Sequence, residues 1–243
     1  MIDLDYDEVE GQASGLRGSL GVLTGPISDI ESVLTDAGVT VLVRPLGVRG
    51  PDGMYVRRAT LAVALLNGNT YLPRFRFTGA HELGHHYYGS VGALDRDVYR
   101  PANLEEKRAN AFAACFLVPR STLSRAASAR EDIAPERALA LANEFGVSYQ
   151  TMVYRLHNCR LLKGGATKRD ELLGARSAIF SDALRDRRVS RQAALPLDYV
   201  NRAIDAYGEQ LISLDRLAEL LFMDEGQVKK LLVHAQLLHE QDQ

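Results

Sequence analysis

The stretch Arg76-Phe-Thr-Gly-Ala-His81-Glu-Leu-Gly-His85-His-Tyr-Tyr-Gly89 decides how this chain is read. Its pattern predicts a helix from Thr78, whose side chain can cap a first turn, through Tyr88, with Gly89 as the stop. Each residue of such a helix turns about 100°, so His81 and His85 return to one face a turn apart and both imidazoles can converge on one ion. Glu82 leaves the axis in another direction. It is placed to reach a water at that ion, which is the position a general base needs.

A catalytic zinc takes three protein ligands and keeps one position open. No third histidine follows His85 at the spacing metzincins use, because the next residues are His86-Tyr-Tyr-Gly-Ser-Val91. The run Asn103-Leu-Glu-Glu106-Lys-Arg-Ala-Asn110-Ala-Phe-Ala-Ala114, predicted as a helix to Leu117, offers two carboxylates. Ala109, Ala113 and Phe116 form an apolar stripe, and Glu106 projects from that stripe while Glu105 is turned away by a residue. Asn103-x-x-Glu106 is equally a capping box, so spacing alone leaves ligand and cap open. Asp95 and Asp97 are further acids on the connector. His86, Tyr87 and Tyr88 could offer an oxyanion donor, but aromatic residues ending such a helix more often line the core or a groove. His157, His234 and His239 have no partners at ligand spacing.

Upstream, Asp29 to Ala37 has helical spacing, Val39 to Val43 reads as a strand, and Ala59 to Leu66 and Thr70 to Leu72 read as two more, joined by Asn67-Gly-Asn as a turn. A small sheet is therefore expected ahead of the helical region. The first residues are rich in Gly and Ser and show no sustained period. Downstream, helices are expected over 134–145 and 148–160 around Gly146, then over 197–207, 213–222 and 224–238, with a charge-rich connector at 163–191. The predicted organisation is a loose N-terminal segment (1–25), a metallopeptidase domain (26–125), a helix-turn-helix-like segment (126–165) and a C-terminal helical region (166–243). The fold class is α+β, a small sheet packed on a zincin-like helical core.

Of the 243 residues 46% are hydrophobic and 25% charged, a globular composition, and 29 basic against 31 acidic residues give a net charge of -2. No whole-chain field draws such a protein to nucleic acid or to acidic membranes. The acidic N-terminus lacks the form of a signal peptide, and the longest apolar run, Leu61 to Leu66, is too short to span a bilayer. Cys115 and Cys159 stand alone, which suits a reducing, cytoplasmic compartment. The helix, glycine and helix at Leu139 to Leu156 could present Tyr149, Gln150 and Arg155 to DNA, but one arginine is a thin electrostatic footprint. In the later pair the second helix opens with Asp224-Glu225, and Arg185, Arg187, Arg188 and Arg191 are interleaved with Asp182 and Asp186. Direct DNA binding is not expected.

The run Arg76 to His85, followed by Glu106-Lys-Arg-Ala-Asn-Ala-Phe-Ala-Ala-Cys-Phe-Leu-Val-Pro119, resembles the ImmA/IrrE family of metallopeptidases, with RFTxAHExGH and then ExxANxFAAxxLxP. The resemblance spans roughly Asp29 to Leu162. It departs at Gly79, where a bulkier apolar residue is usual, and at Cys115-Phe-Leu-Val, and neither departure touches a ligand. It implies that the glutamate of ExxAN, here Glu106, completes a metal site with His81 and His85. It further implies a zinc-dependent endopeptidase, with manganese as the alternative ion, whose protein substrate is a helix-turn-helix repressor of a phage-like element or stress regulon. A DNA-binding regulator, or a module that binds its repressor without cutting, would be the rival classes.

Overall fold

The computed structural model describes residues 4–47, 49–95, 104–127, 132–175, 188–190 and 194–234. They fall into two compact units, 1–192 and 193–243. The architecture is mixed α+β, and among the described residues no helix is long and apolar enough to cross a membrane.

The first unit opens with helix α1, Tyr6–Ser19, where a loose segment was expected. Asp5 caps it by accepting from the backbone N–H groups of Asp7 and Glu8 at 2.9 and 3.1 Å. Val9, Ala13 and Arg17, a turn apart, are buried, while Gly11, Gly15 and Gly18 lie on the exposed side. The glycines lower intrinsic helix propensity, and packing of the buried stripe overrides them. Arg17 donates to the carbonyls of Phe116 (2.6 Å) and Gly25 (2.7 Å), which ties the helix to distant chain.

Helix α2, Ile30–Asp36, capped by Asp29, leads through Gly38 (φ 85°) into strand β1, Thr40–Arg44. Strands β2 (Gly53–Arg58) and β3 (Leu61–Asn67) form a hairpin around Ala59 and Thr60, with Ala59 left-handed at φ 52°. β2 was not expected from the sequence. β4 is Asn69–Tyr71, and β5 is Gly92–Asp95, also unforeseen. The main sheet runs β1-β3-β2-β5, parallel between β1 and β3 and antiparallel elsewhere. β4 instead pairs with β6, Arg188–Ser190, in a second small sheet, so Asn67-Gly-Asn is not a hairpin turn. The Asn67 side chain secures the preceding loop, donating to the carbonyls of Gly47 and Pro51 and accepting from the N–H groups of Leu46 and Asn69.

Helix α3 spans Leu72–Tyr88 and packs on β2 and β3. It starts six residues earlier than the sequence suggested, because Pro73 sits in the first turn, where its fixed φ favours the helix. Thr78 is therefore buried inside the helix and caps nothing. Gly53, Tyr55, Ala62, Ala64 and Leu66, alternating along their strands, are all buried. Helix α4, Leu104–Leu117, crosses α3, and α5 (Arg120–Ala126), α6 (Pro135–Phe145), α7 (Tyr149–Asn158) and α8 (Gly165–Gly174) follow. Between α6 and α7, Gly146 adopts φ 66° and stops α6 as expected. The compact first unit extends past α8, where Tyr149 of α7 donates to the carbonyl of Leu172 at 3.0 Å.

The second unit comprises helices Leu197–Gly208, Leu214–Leu221 and Glu225–His234, built around Ile204, Leu217, Leu221, Val228 and Leu232.

Candidate metal centre

Helix periodicity brings His81 and His85 to one face of α3, and both are buried. The residue between them that meets α4 is Gly84. A methyl group placed there would sit 3.3 Å from both Ala109 Cα and Phe112 Cδ1, so only the smallest residues let the two helices approach this closely. That approach carries Glu106, in the first turn of α4, up to the histidines. His81 Nε2 lies 3.0 Å from His85 Nε2 and 3.1 Å from Glu106 Oε2, and His85 Nε2 lies 3.6 Å from Glu106 Oε1.

These separations match what an ion requires. Zinc bonds of about 2.0–2.2 Å to nitrogen and oxygen in tetrahedral directions place neighbouring donors roughly 3.3 Å apart. The tautomers also fit. His81 Nδ1 faces Asn110 Oδ1 at 2.8 Å; an amide oxygen only accepts, so Nδ1 carries the hydrogen and Nε2 presents a lone pair. His85 Nδ1 is likewise engaged, 3.1 Å from Ser90 Oγ. Two imidazole lone pairs and a carboxylate converging within 4.8 Å form a donor set that a cation completes. Among the described residues this is the one such cluster of histidine, cysteine and acids. Asn103, the partner in the alternative capping box, lies outside the described residues.

Glu82 is fully buried on α3 beside the two histidines. Its carboxylate faces Gly53, where any side chain would collide with Glu82 Oε1 and with Thr78. The start of β2 is pressed there by Asp52, which accepts from Arg74 Nε (2.7 Å) and a terminal guanidinium nitrogen (2.5 Å) in a bidentate pair. The sequence reading missed Gly53, Tyr55, Arg74 and Ser90. Only Asn110 had a visible signal, as a member of the ExxAN motif.

The aromatic end of α3 is engaged in packing. His86 Nδ1 lies 2.8 Å from the Tyr55 hydroxyl, and burial, helped by Arg57, holds its imidazolium form below the ordinary range. Tyr87 stacks on Phe112 at 5.2 Å, and Tyr88 donates to Gln12 at 2.8 Å beneath the Arg108 guanidinium. Asp97, His239, Arg185, Arg187, Arg191, Asp182 and Asp186 lie outside the described residues, as do the side chains of Asp95, Arg188 and His234. His157 joins no ligand cluster among the described residues.

Arg155, the arginine the sequence offered to DNA, is only 1% exposed. Its Nε donates to the carbonyl of Val118 at 2.9 Å and a terminal nitrogen meets Glu10 Oε2 at 2.5 Å. Tyr149, Met152, Val153 and Leu156 of α7 are buried as well, so this helix is a core element with little face left for a groove. Arg76, on α3, points two donors at the carbonyls of Gly146 and Ser28, at 3.5 and 3.3 Å. The turn between α6 and α7 is thereby joined to the helix that carries His81 and His85.

Comparison with curated proteins finds no matching relative. Residues 34–157, just over half of the chain, match the peptidase family described as the IrrE N-terminal-like domain, and the matched span contains His81, Glu82, His85 and Glu106. With a peptidase family's pattern and three donors close enough to hold a metal, the chain belongs to the M78 peptidases of the IrrE N-terminal-like domain family.

Proposed function

We propose that this chain is a zinc-dependent endopeptidase of the cytoplasm that cuts a helix-turn-helix transcriptional repressor and so releases the genes it silences. The observation that carries the reading is the convergence of His81, His85 and Glu106 beside the buried carboxylate of Glu82. His81, His85 and Glu106 would hold a divalent ion, which would supply Lewis acidity for a peptide carbonyl and lower the pKa of water. Glu82 takes the proton of the attacking water and passes it to the departing amine nitrogen. Asn110 holds the His81 ring so that Nε2 stays a lone-pair donor throughout. Gly53 leaves the Glu82 carboxylate room against β2, where a larger residue would displace it. The repressor as substrate rests on the family resemblance, and the two imidazole nitrogens of the donor set favour zinc over manganese, which prefers all-oxygen ligands.

The test incubates the purified protein with the helix-turn-helix repressor encoded beside it, with and without chelator. A single chelator-sensitive cut, lost in Glu82→Gln while metal content stays at the wild-type level, supports the reading. Tight binding of an uncut repressor by the metal-loaded wild type would replace it with a non-cleaving module. Metal loss in Glu82→Gln would refute the assignment of Glu82 as the base.

A further inference from the structure

We infer that Ser90 and Glu105 act as a positioning relay that orients His85 toward the ion, an inference that rests on the metal-centre reading above. Helix α3 ends at Gly89 in the left-handed region, φ 75°, and the chain folds back so that the N–H of Ser90 donates to the carbonyl of His85 at 3.0 Å. This turn sets the Ser90 side chain, which is 8% exposed, directly beside the imidazole one helical turn earlier. The hydroxyl has one hydrogen, and it donates that hydrogen to Glu105 Oε1. Its lone pairs remain to accept from His85 Nδ1–H, 3.1 Å away. Glu105 Oε1 is 3.8 Å from His85 Nδ1, so the hydroxyl, and not the carboxylate, makes the close contact.

The consequence is directional. With Nδ1 bound as a donor, Nε2 of His85 carries the lone pair and faces His81 and Glu106, and the anionic end of the relay makes the ring a stronger base. Two consecutive glutamates thus serve one centre by different routes. Glu106 enters it directly, and Glu105, turned by about 100° on the same helix, reaches it through Ser90. The two histidines are supported unlike one another, His81 by the neutral amide of Asn110 and His85 by a hydroxyl backed by a carboxylate. Glu105 is 54% exposed at its side chain, so its ordinary reading is a first-turn acid that complements the dipole of α4. A dipole role would not involve Ser90.

The experiment titrates the metal-free full chain with Co²⁺ and with Zn²⁺ against a chromophoric chelator, and records the visible Co²⁺ spectrum. Ser90→Ala and Glu105→Ala are each expected to weaken binding roughly 10–100-fold and to alter the Co²⁺ bands. Ser90→Thr, which keeps the hydroxyl, is expected to restore affinity to within about threefold of wild type. Thermal midpoints of the metal-free variants separate loss of ligand orientation from loss of fold, and the exposed Glu105 keeps the test valid should Ser90→Ala fold poorly. Wild-type affinity and spectrum in both alanine variants would overturn the relay alone. A wild-type protein that takes up no Co²⁺ would overturn the metal centre, and the relay with it.

Discussion

Replacing Arg155 with alanine sets two roles for α7 against each other. An arginine that reads DNA is a surface group, and its removal weakens nucleic-acid binding while leaving stability within about 0.5 kcal/mol. The arginine in this fold is 1% exposed, and its guanidinium joins α7 to the carbonyl after α4 and to Glu10 of α1. Truncation would take the guanidinium from the largely buried Glu10 carboxylate, which keeps the Arg120 backbone N–H at 2.8 Å and the Cys115 thiol, and would leave the Val118 carbonyl without that donor. Removing one partner of a buried ion pair costs about 3–5 kcal/mol. In a chain of this size each kcal/mol moves the melting midpoint by about 2–4 °C, so a fall of roughly 6–20 °C is expected. Urea unfolding of the wild type, Arg155→Ala, Glu10→Gln and the double variant measures it, with a coupling of about 0.5–3 kcal/mol between the two sites. Loss of less than about 1 kcal/mol in Arg155→Ala, or a salt-dependent DNA affinity abolished by that change in a still-folded protein, would refute the reasoning.

Glu106→Gln should weaken Zn²⁺ binding by at least about two orders of magnitude, and Asn110→Ala by roughly 10–100-fold, both measured by chelator competition. Gly79→Ala gains about 1 kcal/mol of helix propensity, but its methyl would lie 2.6 Å from Ile30 Cγ1. Overpacking of about 1–3 kcal/mol should leave the variant no more stable than wild type, and in urea unfolding the cost of Gly79→Ala should shrink in an Ile30→Ala background, where the clashing Cγ1 and Cγ2 are absent. Burial pushes the Cys115 thiol up from 9.0 to about 12, so it should resist alkylation at pH 8 in the native protein. Because the folded value lies above the unfolded one, its stabilising contribution is complete below about pH 9 and is lost as the pH rises through about 12. Alkaline unfolding should therefore be less steep in Cys115→Ala.

The histidine pair was legible because two residues four apart share a helix face whatever the tertiary structure. Glu106 needed the apolar stripe and a family pattern, since a capping box has the same local appearance. Helix α1 was hidden by Gly11, Gly15 and Gly18, whose exposed positions make their poor propensity tolerable once Val9 and Ala13 are buried. Strand β2 was hidden between a Pro- and Gly-rich loop and the charged Arg57 and Arg58, although Met54-Tyr-Val56 carries a short strand-like run. Gly79 follows Thr78, the expected start of the helix. It is an interior position where the helix meets Ile30. Arg155 read as a surface charge because its counter-charge, Glu10, lies at the other end of the unit's sequence, and no window along the chain joins them. Ser90 had no local signal at all, for its role depends on a glutamate that α4 brings from elsewhere.

The crossing of α3 and α4 at Gly84 and Ala109 has a consequence for how the protein survives in a cell. An ion held by His85 and Glu106, as proposed, would close the chain between them like a removable staple, and a covalent cross-link of that span removes about 3 kcal/mol of unfolded-state freedom. Ion binding stabilises the fold only in proportion to the logarithm of free ion over its dissociation constant. On the proposed metal site, a rise in the available ion would therefore lengthen the lifetime of the folded chain against proteolytic turnover, and a chelating environment would shorten it. The amount of the protein would then become a readout of metal supply, even where its gene is expressed at a constant rate.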